Sequence, residues 1–341
     1  MTEDQAQRVN ELLNALSNEA RVRGVPMDVW SLMLQNEVSN VNFNDHNLTT
    51  FKAMMVQWLE HFRDNLYERV QKRPHIIDIE KDIRENRSWK MDRALVIGGG
   101  PSVGQAELNY LRDNPFPGLV ICCNKPFKKV LPFLEPDIVV AIHGTDEILP
   151  DFTPDIVKDN LQNGSTRLVL STHIAPIVTD AIMSRNQGNC DSRRIFWFNP
   201  SIPEVYAANI DSMQELMSGG MKPFDTGGNA GLFGMKLAGE LLHVKEVAML
   251  GLEHCMDVDP NWTLEQSQDY RLLWDPDNKK VFAIPSVFQS YLASMSDWIG
   301  MHHEVKVTNL TPKGSFYVNR RILNVPYMSL PEYIEQSLKS K

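Results

Sequence analysis

The sequence predicts an α/β protein, a mostly parallel sheet with helices on both faces, preceded by an α-helical N-terminal region. Three observations carry this. From Ala94 onward short β-rich runs recur (ALVIGGG, LVICCN, DIVVAIH, RLVLSTH, IFWFNP, EVAMLGLEH, HEVKVTNLT). They are apolar on both faces, as strands buried on both sides must be. Between them lie helical stretches at about 102–113, 125–134, 174–186, 229–242 and 286–301, the alternation that builds a parallel sheet. The expected architecture is therefore a Rossmann-like open sheet over residues 91–320, with residues 321–341 as a C-terminal tail. Residues 200–225 and 255–285 read as loops with short helices.

Residues 1–90 have a different texture. Leu12, Leu13 and Leu16, then Phe51, Met54, Met55, Trp58, Leu59, Phe62 and Leu66, recur at helical spacing among charged residues. Asn47 or Thr49 is the expected cap of the longest helix, which should stop near Arg73-Pro74 because proline disfavours helix before it. The Met and aromatic stripe reads as core or as a subunit interface, so a homo-oligomer formed through these helices is one expectation. The charged stretch Glu80 to Lys90 reads as a helix or linker.

Composition narrows the function. The chain has 341 residues, 43% apolar and 23% charged, with a formal charge of −9, which is ordinary globular usage. Its acidic balance, pI about 5.5, disfavours a nucleic-acid binder, which needs a basic face. The four cysteines, Cys122, Cys123, Cys190 and Cys255, show no zinc spacing, and MTEDQAQRVN lacks the apolar region of a signal peptide. A cytoplasmic, reduced protein without a membrane span is the expectation, because no stretch approaches about 20 apolar residues.

In parallel sheets ligands gather at the carboxyl ends of strands, and here those ends are polar. After Leu95-Val96-Ile97 come Gly98, Gly99, Gly100, Pro101 and Ser102, where glycines permit close backbone approach and a following helix offers N–H groups to a phosphate. A tight strand-to-helix turn explains the same glycines, and Ser102 either caps the helix or binds a ligand oxygen. The pattern is neither GxGxxG with a ribose-binding acid nor GxxxxGK[ST]. The second strand ends in Asn124-Lys125, suited to a nucleotide edge and a phosphate, though Asn124 also fits a helix cap. The third ends in His143, Asp146 and Glu147, a metal or acid/base cluster or simply a charged loop. Asn199 follows the strand at Phe196, and Thr226, Gly227 and Gly228 open a second helix, so two helix starts are expected to face one crevice. Glu253 and His254 close the last central run, a location favoured by catalytic groups or occupied by an ordinary ion pair.

GGGPS, CN, PDIVVAIH, FNP, TGGNAGLFGMKLA and VAMLGLEH occur in this order. Over about residues 90–315 the chain thereby resembles the DUF115, or 6-hydroxymethylpterin diphosphokinase MptE-like, superfamily, which includes the motility-associated Maf flagellin glycosyltransferases and is similar to bacterial CMP-sialic acid sialyltransferases. The resemblance implies a nucleotide-dependent transferase. Gly99, Gly100, Pro101 and Ser102 would surround donor phosphate and ribose, Asn124 and Asn199 would hold the nucleotide, and Thr226, Gly227 and Gly228 would complete the cradle. The pterin enzymes' Asp-Gly pair and TDLDG-like block are replaced by Asn124-Lys125 and Ala141-Ile142-His143-Gly144. This favours the sugar-transferring branch, with a CMP-linked nonulosonic acid donor and a small-molecule, glycan or protein acceptor. An ATP:pterin diphosphotransferase, which would need Mg²⁺ on Asp146, Glu147 or Glu253, is the alternative, and a non-catalytic nucleotide-binding protein the second. The sialyltransferase histidine some thirty residues after GLEH is absent, and the usual aspartate is Glu253. His254 then becomes the expected base, oriented by Glu253, with Tyr270 or Tyr291 donating to the leaving phosphate; His302 and His303 are weaker candidates.

Overall fold

A computed structural model describes residues 46–70, 73–86, 92–184, 188–201, 208–257, 270–275, 277, 280–319 and 323–339. Its strands, in chain order, are β1 Arg93–Ile97, β2 Leu119–Cys123, β3 Ile138–Ala141, β4 Arg167–Ser171, β5 Ile195–Pro200, β6 Pro223–Phe224, β7 Glu246–Leu250, β8 Met256–Asp257, β9 Tyr270–Asp275, β10 Lys280–Pro285 and β11 Lys306–Asn309. Eight of them form a parallel sheet in the order β11-β7-β1-β2-β3-β4-β5-β6. β1 is held between β2 and β7, with Ile97 in register with both Cys122 and Leu250.

Alternate strand residues feed two cores, as the two-residue period of a strand requires. On one face Leu95, Ile97, Val120, Cys122, Leu168, Leu170 and Trp197 pack with Leu108, Leu111, Phe127, Val157 and Val178 from the helices Gln105–Asp113, Asn124–Val130, Asp155–Asn163 and Pro176–Met183. On the other, Ala94, Val96, Ile121, Val140, Phe196 and Met249 meet Leu232, Phe233, Met295 and Trp298 from Ala230–Lys236 and Ser286–Met301. The chain steps outward from β1 through β6 on one side and then returns to lay β7 and β11 on the other. The order therefore reverses between β1 and β7, the place where the carboxyl ends of an open sheet leave a crevice.

The expected crossovers at 102–113, 125–134, 174–186, 229–242 and 286–301 all contain helices. One crossover had no counterpart in the sequence reading: Asp155–Asn163, between β3 and β4, buries only Val157 and Leu161 among nine residues, too thin an apolar stripe to stand out. Residues 255–285 differ from the expected loops and short helices, since β8, β10 and β9 pair antiparallel into a second sheet.

The N-terminal region is docked onto the sheet. Helix His46–Asn65 already contains Asn47 and Thr49, so neither precedes its first turn, and a π-helical turn Leu66–Val70 carries it toward Pro74. Leu59, Phe62 and Leu66 are buried in this chain, so that part of the stripe is core; Leu12, Leu13 and Leu16 lie outside the described residues. Asn65 donates its amide to Thr172 O and Ile174 O beyond β4, and helix Ile79–Asn86 gives Ile79 and Ile83 to the second core. At the other end, residues expected as a tail join the first core through helix Leu330–Lys339, where Tyr333 stacks on Phe116 at 6.2 Å. No described helix is long and apolar enough to cross a membrane.

Candidate functional site

The turn after β1 and the loop after β7 are laced together at the order reversal. Gly98 N–H donates to Leu250 O at 2.7 Å and Gly100 N–H to Gly251 O at 2.9 Å. β7 stops at Gly251, whose φ of +76° is open to glycine at little cost. With the strand ended there, Glu253 and His254 are freed from strict alternation of faces. Leu252 packs against both the turn after β1 and the first turn of helix Ala230–Lys236, since a Cβ on Gly98 would come 2.7 Å from its Cδ2 and one on Gly231 would collide with the same atom. The two turns expected to share a crevice thus meet on one side chain.

Glu253 turns toward the glycines. Its Oε1 accepts the Ser102 N–H at 2.6 Å, and a Cβ on Gly100 would overlap the carboxylate, so Gly100 is required by close approach. Glu253 is 3% exposed, and its Oε2, like Ser102 Oγ, is buried without a hydrogen-bond partner among the described residues. A buried carboxylate oxygen without a donor is costly and marks a place that a ligand hydroxyl or a water can complete.

His254 faces the other turn. It sits at φ +50°, and its ring lies 6.2 Å from both Phe288 and Tyr291. Burial lowers its pKa to about 4, so the imidazole is neutral near pH 7, with Nδ1 buried and without a partner among the described residues. Tyr291 closes onto Gly228, where a Cβ would come 2.6 Å from its Cε1. Burial raises the Tyr291 pKa, which keeps the phenol protonated as a donor. Gly227 and Gly228 both have positive φ, and Thr226 Oγ1 accepts the Gly228 N–H at 3.2 Å. Asn229 caps the helix that follows by accepting the Leu232 N–H.

The remaining expected residues divide by how much of each side chain is committed. Asn124 begins the helix after β2 and donates to Asp151 at 2.8 Å, leaving Oδ1 without a partner among the described residues. Lys125 is exposed beside Gly99. Asn199 is engaged at both ends, accepting from Thr172 Oγ1 and donating to Ser218 Oγ and Met221 O, and is fully buried; it ties β5 to its neighbours. His143 is exposed with Nδ1 facing the Thr145 hydroxyl at 2.8 Å. Asp146 and Glu147 are exposed on the following 3-10 turn. No group of three His, Cys, Asp or Glu side chains among the described residues is placed to hold a metal ion. His302 and His303 precede β11, at the amino ends of the strands, away from the carboxyl ends that form the crevice.

His173, beyond the end of β4, belongs to no motif that the sequence marks. It is 2% exposed, stacked on Trp58 at 5.7 Å, and its Nε2 is bonded to the Gln214 amide. Burial first, and then His61, lower its pKa to about 3. Its strand-end position was visible in RLVLSTH, but its partners come from distant segments.

No family model and no curated protein matches the sequence. In structure the chain is similar to the MAf glycosyltransferase from Magnetospirillum magneticum AMB-1. The match has a TM-score of 0.50 and 13% identity, over 87% of this chain and 45% of that one. The chain thus spans just under half the length of that protein, and at this identity the likeness establishes the fold.

Proposed function

We propose that the crevice between β1 and β7 binds a nucleotide-activated sugar, of the CMP-nonulosonic acid type, and transfers its glycosyl group to an acceptor hydroxyl. The observation that carries this reading is the Ser102 N–H bond to Glu253, which joins the glycine turn to the loop bearing His254. The fold shared with a glycosyltransferase and the GGGPS to GLEH order support it. In the transfer, the acceptor oxygen bonds to the anomeric carbon while the bond from that carbon to the phosphate oxygen breaks. The phosphate leaves with the electron pair, and the acceptor proton passes to neutral His254. The Tyr291 phenol and the Lys125 ammonium are the donor and countercharge available to the departing phosphate.

The diphosphotransferase alternative would rest on Mg²⁺ held by Asp146, Glu147 or Glu253. Asp146 and Glu147 are exposed, Glu253 has one oxygen on the Ser102 N–H, and no three His, Cys, Asp or Glu side chains among the described residues gather to hold a metal ion; no step here is routed through a metal. A thermal-shift panel of CMP, CDP, UMP, ATP and GDP, each with and without Mg²⁺, tests the choice. Stabilisation by CMP and CDP without Mg²⁺ is expected; stabilisation by ATP with Mg²⁺ alone would reverse it.

A further inference from the structure

The glycine turn is held between two side chains of opposite charge. On one flank Lys125, from the first turn of the helix after β2, lays its stem over Gly99: a Cβ there would come 2.9 Å from Lys125 Cδ. Lys125 is exposed, and its ammonium has no partner among the described residues. On the other flank Glu253 covers Gly100, with Oε1 on the Ser102 N–H and Oε2 buried without a donor among the described residues.

The backbone follows the same division. Gly98, Gly100 and Ser102 all spend their N–H groups on the β7 side, on Leu250 O, Gly251 O and Glu253 Oε1. Gly99, the residue under Lys125, keeps an N–H without a partner among the described residues. A phosphate placed at Ser102 N–H would have to displace a buried carboxylate or lie against it, and like charges at contact distance in a water-poor site repel strongly. Beside Lys125 and the Gly99 N–H the same phosphate meets a cation and a free donor. What Glu253 Oε2 lacks is a hydrogen-bond donor, which a hydroxyl supplies without added charge.

We propose, resting on the nucleotide reading above, that the turn sorts one ligand by charge: Lys125 and Gly99 take the phosphate, and Glu253 takes a hydroxyl of the adjoining sugar. Glu253 is then a residue that decides ligand orientation, and the phosphate lies nearer β2 than the glycine motif alone implies.

Isothermal titration of wild type, Lys125→Ala and Glu253→Gln with CMP, cytidine and inorganic pyrophosphate, without metal, tests this. Lys125→Ala should weaken CMP and pyrophosphate by about tenfold or more, the usual worth of a charge-assisted contact, and leave cytidine unchanged. Glu253→Gln keeps an acceptor for Ser102 and removes the charge. It should tighten both phosphate ligands and weaken cytidine, because an amide N–H₂ replaces the accepting oxygen. Should Glu253→Gln not fold, Lys125→Ala alone decides the anion flank: a loss confined to CMP and pyrophosphate supports it, and an equal loss for cytidine, or no loss, overturns it.

Equal CMP affinity in all three proteins overturns the sorting and leaves nucleotide binding standing. Pyrophosphate following the expected order while CMP and cytidine fail to bind supports the anion flank and overturns the nucleotide reading. Absence of binding by every ligand overturns both.

Discussion

His254→Ala should lower the release of CMP from a CMP-linked nonulosonic acid by about 10²-fold while leaving the Kd for CMP within twofold. A positioned base supplies about 10²–10⁴-fold. The lower end is expected here because burial holds the imidazole pKa at about 4, which keeps it free of a proton at neutral pH and also makes it a weaker base. The loop geometry is what allows the role: β7 has ended at Leu250, and His254 adopts φ +50° against Phe288 and Tyr291. Folded His254→Ala protein with unchanged turnover would remove the residue from the mechanism and direct attention to His143.

Acidification should destabilise the fold steeply between pH 6.5 and 5. His254, with a pKa of about 4, and His173, with a pKa of about 3, are both held neutral chiefly by burial. An unfolded histidine titrates near 6.5, so below that pH the unfolded chain binds more protons than the folded one, and stability falls as pH falls. Each group then costs about 2 kcal/mol at pH 5, from about 1.4 kcal/mol per pH unit, or about 4 kcal/mol for the pair. Urea unfolding at pH 7, 6 and 5 measures this, and His254→Gln should remove about half of the slope. A flat profile would mean that both imidazoles are solvated, and half the expected slope that one of them is.

Most of the sheet was legible in the sequence because a doubly covered strand leaves a signal that needs no partner to read. Leu119–Cys123 and Ile138–Ala141 are wholly buried runs, and each stands between segments of helical period. The crevice was legible for a related reason, since polar residues that end buried runs stand out, and Ser102 and Glu253 are in fact joined. What the sequence could not supply was partnership. Asn124 and Asn199 look alike at strand ends, yet Asn124 Oδ1 has no partner among the described residues whereas Asn199 is locked by Thr172, Ser218 and Met221. The joint between His173, Trp58 and Gln214 was equally out of reach, because it unites three segments far apart in the chain. The small sheet of β8, β9 and β10 escaped because YRLLWD and KVFAIP mix charged and apolar residues without a sustained alternation.

Hydrogen–deuterium exchange with and without saturating CMP, in the absence of metal, tests most directly whether the crevice between β1 and β7 is the nucleotide site. Protection centred on residues 98–104 and 124–126, with a smaller effect at 251–254, is the expected result. Unchanged exchange in all three segments while CMP demonstrably binds, or protection confined to another edge of the sheet, would contradict it.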